Sequence, residues 1–456
     1  MFLKSNVVPL FKGGDKENPS CYRPISLLPA LGKLLEKIVS IRALEHLDIN
    51  GLLSAHQFGF RKNFSTEYAI LDLYEKLLNN LDKKLSSCAI FLDLAKAFDS
   101  VDHNILLRKL ARYGFKDNFL NFFSSYLEAR LQFVKLGNTE SSRLPIKYGV
   151  PQGSILGPLL FLIFINDLPD ATNFYIKLFA DDTFLCAQNS NLELLEKEVN
   201  VEINKVYQWL VSNKLTLNIL KSKFMIVSNK KCINNDFNVS INGTPLKKCD
   251  KYKYLGVTID KNLNWKSHIE YISGKISKAS RVLSKLRHCL SSKLLVEIYY
   301  ALVHSYVRYG ILTWGNASDT TLKPLQTMIN RVVRIITFAP FGHIDLKPIY
   351  KDLQLLDVRD TFFLETSKFM FKVKNDLLPV TFANHFENNN LMPSLQSSYS
   401  LRSRVRVNRV VTRLLASENS IQVRGENIWN EIPDIIKHEA SLYTFKRLIK
   451  CMLLEN

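Results

Sequence analysis

The chain has 456 residues, 46% hydrophobic and 23% charged, which excludes a mostly disordered protein and leaves apolar material for one or more real cores. Lys and Arg number 61 against 42 Asp and Glu, a net charge of +19 with a pI near 9.4. Such an excess on a folded chain points to a polyanionic partner, nucleic acid before an anionic membrane surface.

In chain order, helical periodicity covers Leu31 to Leu47 and Glu67 to Leu81. Ala89 to Asp93 reads as a buried strand, followed by a helix that begins near Asp102-His103-Asn104. Gly149, Gly153 and Gly157 with Pro151 and Pro158 make a tight loop that leads into a helix. Lys177 to Ala180 and Thr183 to Ala187 read as a β-hairpin with Asp181-Asp182 at its tip. Leu192 to Leu210 predicts a helix and Lys223 to Val227 a strand. Tyr252 to Ile259 predicts a further strand with a bulge at Gly256. Beyond residue 260 the strand signals thin out, and His268 to Leu290 and Ser292 to Tyr309 are helical. These signals make an α+β protein with a mainly helical C-terminal region. Boundaries fall near 259 and 340, giving segments 1–259, 260–340 and 341–456. Asn388 to Asn390 and the Ser-rich stretch 394–403 read as loop.

The seven cysteines are odd in number and none forms C-x-x-C. This excludes a disulfide framework and a zinc knuckle and points to a reducing compartment. No stretch approaches the roughly 20 apolar residues of a membrane span, and no signal peptide is visible. Charge is unevenly placed: residues 151–200 hold 2 basic and 7 acidic side chains, and residues 201–350 hold 23 basic and 8 acidic. An acidic island followed by a basic region suggests a metal site beside a polyanion track. Asp93 ends an apolar strand, and Asp181 and Asp182 sit among apolar strand residues. Carboxylates so placed are costly unless compensated. Two Mg²⁺ ions would compensate them and are the usual device for in-line displacement at a phosphate.

An ordered set of motifs goes further: NPSCYRPISLLPALGKLLEK, HQFGFRKNFST, FLDLAKAFDSVDH, GVPQGSILGPLLFLIFINDLP, FADD, LTLNILKSKFMIV and YKYLGVTID. Together they resemble the reverse transcriptases of jockey-like and CR1-like non-LTR retrotransposons over residues up to about 259. The resemblance implies a right-hand polymerase: fingers and palm to 259, a helical thumb over 260–340 and a C-terminal region without an assigned role. It implies RNA-directed DNA polymerase activity on an RNA template, a DNA primer and dNTPs. The cofactor would be two Mg²⁺ ions, with Mn²⁺ as a substitute, and the place of action intracellular, in the nucleus.

Residue by residue, the resemblance makes Asp93, Asp181 and Asp182 the metal-binding catalytic carboxylates, with the backbone carbonyl of Leu94 helping to hold a metal. Phe98 matches the steric gate beneath the incoming sugar and Gln152 the glutamine that packs on the nucleotide. Lys12 and Arg23 match fingers cations on the triphosphate. Lys221 matches the lysine that protonates the pyrophosphate leaving group, and Tyr254, Leu255 and Gly256 match the primer grip. Phe179 stands where many relatives have Tyr, and Lys223 where many have an acid. Full-length relatives begin with an endonuclease and a fingers extension, so the chain reads as truncated before the fingers. A decayed fragment that only binds nucleic acid is the competing reading, and a group II intron maturase the competing enzyme. No ribonuclease H motif or terminal zinc knuckle is visible.

Two basic segments complete the reading. Lys275, Lys278, Arg281, Lys285 and Arg287 are spaced so that most share one helix face, as a phosphate track would. Arg402, Arg404, Arg406, Arg409 and Arg413 form an acid-free cluster whose first three members alternate, as on one face of a strand. Trp314 and Trp429 are expected in a core.

Overall fold

A computed structural model describes residues 4–128, 130–230, 237–340, 342, 345–379 and 417–455. The arginine cluster at 402–413 and the predicted loops at 388–390 and 394–403 lie outside the described residues. The chain divides into two compact units. The first comprises Met1–Phe64, Cys88–Phe224 and Cys232–Lys248, and the second Ser65–Ser87, Met225–Lys231 and Cys249–Asn456.

The chain opens with a hairpin, β1 (Lys4–Phe11) and β2 (Tyr22–Leu27), then α1 (Ala30–Ile49), α2 (Thr66–Asp82) and β3 (Ser86–Leu92). Next come α3 (His103–Arg112), α4 (Asp117–Glu128), β4 (Leu131–Leu136), β5 (Thr139–Glu140), β6 (Leu144–Pro145) and α5 (Leu156–Ile165). The hairpin β7 (Tyr175–Phe179) and β8 (Asp182–Asn189), the helix α6 (Leu192–Ser212) and β9 (Lys223–Val227) follow. Three two-residue strands, β10 (Ser240–Ile241), β11 (Thr244–Pro245) and β12 (Lys247–Lys248), precede β13 (Lys251–Tyr254) and β14 (Val257–Asp260). After Asp260 the described residues form helices and no strand, so the α+β class with a helical C-terminal region is the one found.

The first unit is organised by a sheet of order β12-β9-β3-β8-β7. All seven residues of β3 are buried, as expected for an apolar run covered on both faces. Nine of the ten residues of α5 are buried as well, and α3 starts where Asp102 accepts a hydrogen bond from Ile105 N–H at 3.0 Å. A second sheet joins β1 to β2 antiparallel and to β4 in parallel. The predicted helix over 31–47 is present as α1, but its packing inverts the usual rule. Gly32, Glu36, Ser40, Ala43 and Leu47 are buried, while Leu31, Leu34, Leu35, Ile38 and Ile41 are all exposed.

In the second unit the predicted single strand with a bulge is instead a hairpin. β13 and β14 pair antiparallel, with Tyr254 opposite Val257. The two-residue turn has φ of +44° at Leu255 and +90° at Gly256, the positive pair that a tight hairpin turn requires. Leucine is so poor a residue for that conformation that the sequence carries no turn signal there. Tyr309 donates to the Leu255 carbonyl at 2.6 Å. Helices α7 (Lys266–Leu286), α8 (Ser292–Tyr299), α9 (Ser305–Arg308), α10 (Ile311–Trp314) and α11 (Asp319–Thr337) follow. A π-helical turn over Tyr300–His304 joins α8 to α9. The last helices are α12 (Lys347–Asp352), α13 (Val358–Lys374), α14 (Ile421–Glu431), α15 (Asp434–Lys437) and α16 (Leu442–Glu455). Trp314 and Trp429 are both buried, as expected.

Glu75 on α2 is buried in this unit and accepts a hydrogen bond from Ile421 N–H at the start of α14, at 2.7 Å. Burial raises its carboxyl to about 8, with the nearby Asp72 adding to the shift and the Ile421 bond opposing it. A raised folded-state value means that the unfolded chain releases the proton first. Stability is therefore complete below about pH 4.5 and falls as pH rises towards 8. Glu75→Gln keeps an acceptor for Ile421 and cannot ionise. Its unfolding free energy should match wild type near pH 4 and exceed it by a few kcal/mol at pH 8; parallel stability curves in chemical denaturation would reject this account.

Candidate active site

The first unit gathers nine of the residues singled out above: Lys12, Arg23, Asp93, Leu94, Phe98, Gln152, Asp181, Asp182 and Lys221. Asp93 follows the last residue of β3 and is held by its backbone. Its N–H donates to Ser222 Oγ at 3.1 Å, and its C=O accepts from Asn218 N–H at 2.8 Å. Ala95 N–H donates to the Thr216 carbonyl at 2.8 Å. These two ladder bonds flank an antiparallel bridge between Leu94 and Leu217, and this geometry leaves the Leu94 carbonyl outside the ladder.

Asp181 and Asp182 come from the β7–β8 hairpin, one residue displaced from the predicted tip. Phe179 pairs with Asp182, so the turn is Ala180-Asp181 and Asp182 opens β8. The offset has a local cause. Ala180 takes φ of +56°, and its N–H is held at 3.2 Å by Gln57 Oε1, which also accepts from Gly59 N–H at 2.8 Å. A Cβ at Gly59 would lie 2.4 Å from Ala180 N, so only glycine admits this approach. Gln57, Gly59, Asn218 and Ser222 therefore position the carboxylates. They lie inside the quoted motifs, but nothing in their residue types marks them individually.

The electrostatics are those of crowded like charges. Asp181 is pushed up by burial and then by Asp93, against opposing pulls from Arg23 and Lys12. Asp182 is pushed to about 6 by burial, Asp181 and Asp93, with no cation relieving it. Lys221 Nζ stands 3.9 Å from Asp93 Oδ2 with most of its side chain in water. Hard, acceptor-only oxygens that repel one another suit a divalent hard cation. Among the described residues, however, no group of three or more His, Cys, Asp or Glu side chains is drawn close enough to hold one.

Phe98 lies in a short 3₁₀ turn over Ala97–Asp99 that begins after Lys96 at φ +49°. Its ring stacks on Phe161 at 4.6 Å and meets Phe60 edge-on at 6.3 Å. The turn is clamped to the Gly-Pro loop: Val150 N–H donates to the Phe98 carbonyl and Gly149 N–H to the Val101 carbonyl, both at 2.8 Å. Gln152 reaches across to donate to Asp99 Oδ1 at 2.8 Å. Asp99, absent from the sequence-derived set, is raised by burial, and Gln152, Lys96, Lys12 and Arg23 offset part of the shift. A cavity of about 350 Å³ beside this contact is lined by Ser26, Asp99, Gln132, Tyr148 and Gln152, among others. Lys12 and Arg23 are exposed on the β1–β2 hairpin, where Arg23 pairs with Leu10.

The remaining predicted residues belong to the second unit. Tyr254, Leu255 and Gly256 form the β13–β14 turn. Lys278, Arg281 and Lys285 are exposed on α7. Lys275 is half-buried on the same helix, its ammonium 5.4 Å from the centre of the Tyr271 ring. At 100° per residue the four span an arc of about 120°. Arg287 packs on Phe338 at 3.8 Å.

Gly149 is the tightest point of this arrangement. Its φ is +88°, and a Cβ there would lie 2.7 Å from the Asp99 Cα and carbonyl oxygen. Gly149→Ala should cost about 2 kcal/mol or more, combining left-handed strain with a backbone clash. Thermal melting of the full chain measures this, and an unchanged midpoint would show that the loop yields freely.

Residues 14–259 match the family described as reverse transcriptase (RNA-dependent DNA polymerase). The probable RNA-directed DNA polymerase from transposon BS of Drosophila melanogaster is 29% identical over 373 residues, covering 79% of this chain and 41% of that protein. The RNA-directed DNA polymerase from mobile element jockey of the same organism is 29% identical over 361 residues, covering 76% and 39%. The chain thus spans about two fifths of the length of these relatives. Apo telomerase from Candida tropicalis superposes with a TM-score of 0.41 at 13% identity, over 79% of this chain and 63% of that one. The matched stretch takes in Asp93, the Gly-Pro loop, the Asp181–Asp182 hairpin and β13–β14, over more than half of the residues, and on that basis the chain belongs to the reverse transcriptase (RNA-dependent DNA polymerase) family.

Proposed function

We propose that this chain is the polymerase portion of a non-LTR retrotransposon protein and that it extends a DNA primer on an RNA template. The observation that carries the reading is the placing of Asp93, Asp181 and Asp182 at strand ends within reach of one another's charge, where burial and then the neighbouring carboxylates raise Asp182 to about 6, within a family whose description names this activity. Asp93, Asp181, Asp182 and the Leu94 carbonyl would hold two Mg²⁺ ions. When bound, such ions stabilise the charge on the attacking and leaving oxygens of an in-line displacement.

The chain's own residues supply positioning and charge. Lys12 and Arg23 already act on Asp181 and Asp99 through space, so a triphosphate beside those carboxylates would meet their positive field. Arginine suits a bidentate phosphate contact and lysine a point charge. Lys221, 3.9 Å from Asp93 and largely in water, would give a proton to a departing pyrophosphate. Phe98, backed by Phe161, is a rigid surface against which a 2′ hydroxyl would collide. Tyr254, Leu255 and Gly256 would hold the primer, and Lys275, Lys278, Arg281 and Lys285 the phosphate backbone of the duplex.

Asparagine at 93 or 181 is nearly isosteric and neutral. Asp93→Asn and Asp181→Asn should each slow nucleotide addition by at least about 10³, or roughly 4 kcal/mol of barrier, with RNA–DNA duplex affinity little changed. The measurement is Mg²⁺-dependent primer extension on RNA beside duplex binding. A wild-type chain that binds duplex tightly and never extends a primer in Mg²⁺ or Mn²⁺ would hand the function to nucleic-acid binding alone. Phe98→Val should admit ribonucleotides in single-nucleotide addition, and unchanged rNTP-to-dNTP selectivity would remove Phe98 from that role.

A further inference from the structure

A carboxylate outside the assigned site supports the Gly-Pro loop from below. Glu36 is buried on α1, a helix that leaves Leu31, Leu34 and Leu35 exposed. Its Oε2 accepts from Ile155 N–H at 2.7 Å and Leu156 N–H at 3.4 Å, and its Oε1 accepts from Tyr126 O–H on α4 at 2.9 Å. Arg130 Nη2 stands 3.9 Å from Oε1. Its guanidinium lies 4.4 Å from the centre of the Tyr126 ring, and Nη1 donates to Ser5 Oγ at 3.2 Å.

These bonds account for the amino end of α5. A helix begins with four N–H groups that lack intrahelical partners. The residue before α5, Ile155, has no capping side chain of its own. Ile155 and Leu156 N–H go to Glu36, Gly157 N–H goes to Ser154 Oγ at 2.8 Å, and position 158 is proline, which has no N–H. The negative charge also faces the positive end of the helix dipole. Immediately upstream, the Gln152 carbonyl accepts from Ser26 N–H on β2 at 2.7 Å. A Cβ at Gly153 would lie 2.8 Å from the Ser26 carbonyl oxygen. Residues 151–156 are thus fixed from two sides, by β2 through backbone and by α1 through one side chain.

We propose that Glu36 is a positioning residue for nucleotide binding: by holding Ile155 and Leu156 it sets the height at which Gln152 meets Asp99. The inference rests on the polymerase reading only for what the loop touches; the holding of the loop stands on the bonds above. Glu36→Gln is the informative change. An amide fills the same volume but has one acceptor oxygen, and its NH₂ must face either the α5 donors or Tyr126 O–H. Facing α5 it sets donor against donor; facing Tyr126 it makes that hydroxyl turn and accept; either way the α5 N–H groups lose a charged acceptor.

The test compares the full wild-type chain with Glu36→Gln and with Tyr126→Phe, which keeps the carboxylate and removes one of its donors. Hydrogen exchange should quicken in residues 149–157 of Glu36→Gln and stay unchanged in 159–165. In single-nucleotide addition on an RNA template, the KM for dNTP should rise about tenfold with kcat changed far less, at unaltered duplex affinity. Tyr126→Phe should move both readouts in the same direction by less, and it carries the test alone if Glu36→Gln does not fold. Unchanged loop exchange overturns the proposal. So does a kcat that falls with the folded fraction, read by melting, at constant KM. If wild type extends no primer, the polymerase reading falls, and the exchange difference by itself still decides whether Glu36 holds the loop.

Discussion

Holding Asp93, Asp181 and Asp182 near one another and partly out of water is the constraint that the backbone of the site has to meet. Burial raises Asp181 and Asp182, and the neighbouring carboxylates raise them further. Left to themselves such groups would swing apart into water. The backbone around them prevents this. Asp93 is tied at both its N–H and its C=O by the 216–222 segment, and the hairpin turn is pinned by Gln57 and sealed against Gly59. The rigidity belongs to main-chain hydrogen bonds rather than to ion pairs. The one ion pair to these groups among the described residues, from Lys221, is long and wet.

A second consequence concerns what surrounds the charges. Phe98, Asp99, Gly149 and Gln152 form one continuous clamp, in which carbonyls from one turn receive N–H groups from the other. Such a clamp transmits displacement. A shift of α5 moves Gln152, and a shift of β2 moves Gln152 through Ser26. The burial of Glu36 and Ser40 on α1, against the usual economy of amphipathic helices, serves this demand: the helix delivers a carboxylate to α5, and Leu31, Leu34, Leu35, Ile38 and Ile41 are left exposed.

Much of this was legible in the sequence, and what was not has definable causes. Asp93 stood out because an apolar strand ends on it, and the Gly-Pro loop because glycine at positive φ is the residue type that turn demands. The hairpin tip was misread by one residue because Ala180 adopts a left-handed conformation that its type does not advertise, held by Gln57, which lies 123 positions upstream. The β13–β14 turn was hidden for the same reason at Leu255. Helix α1 was correctly expected from its period, but which face it buries was not legible, since the hydrogen-bonding needs of α5 are invisible in the sequence of α1. Asp99 and Glu36 were missed because a single acid in a charged, helical context carries no signal until its partners are known.

The bond between Glu75 and Ile421 spans 346 positions of the chain. A ribosome adding residues at roughly 5–20 per second needs about 20–70 s to make that stretch. Through that interval the rest of α2 can meet Trp265 and Gly310, but its Glu75 carboxylate still waits for Ile421. This contact of the second unit is therefore late for a reason of connectivity rather than of stability. The Glu75 carboxylate spends that time within reach of chaperones, proteases and other nascent chains before the helix that covers it exists.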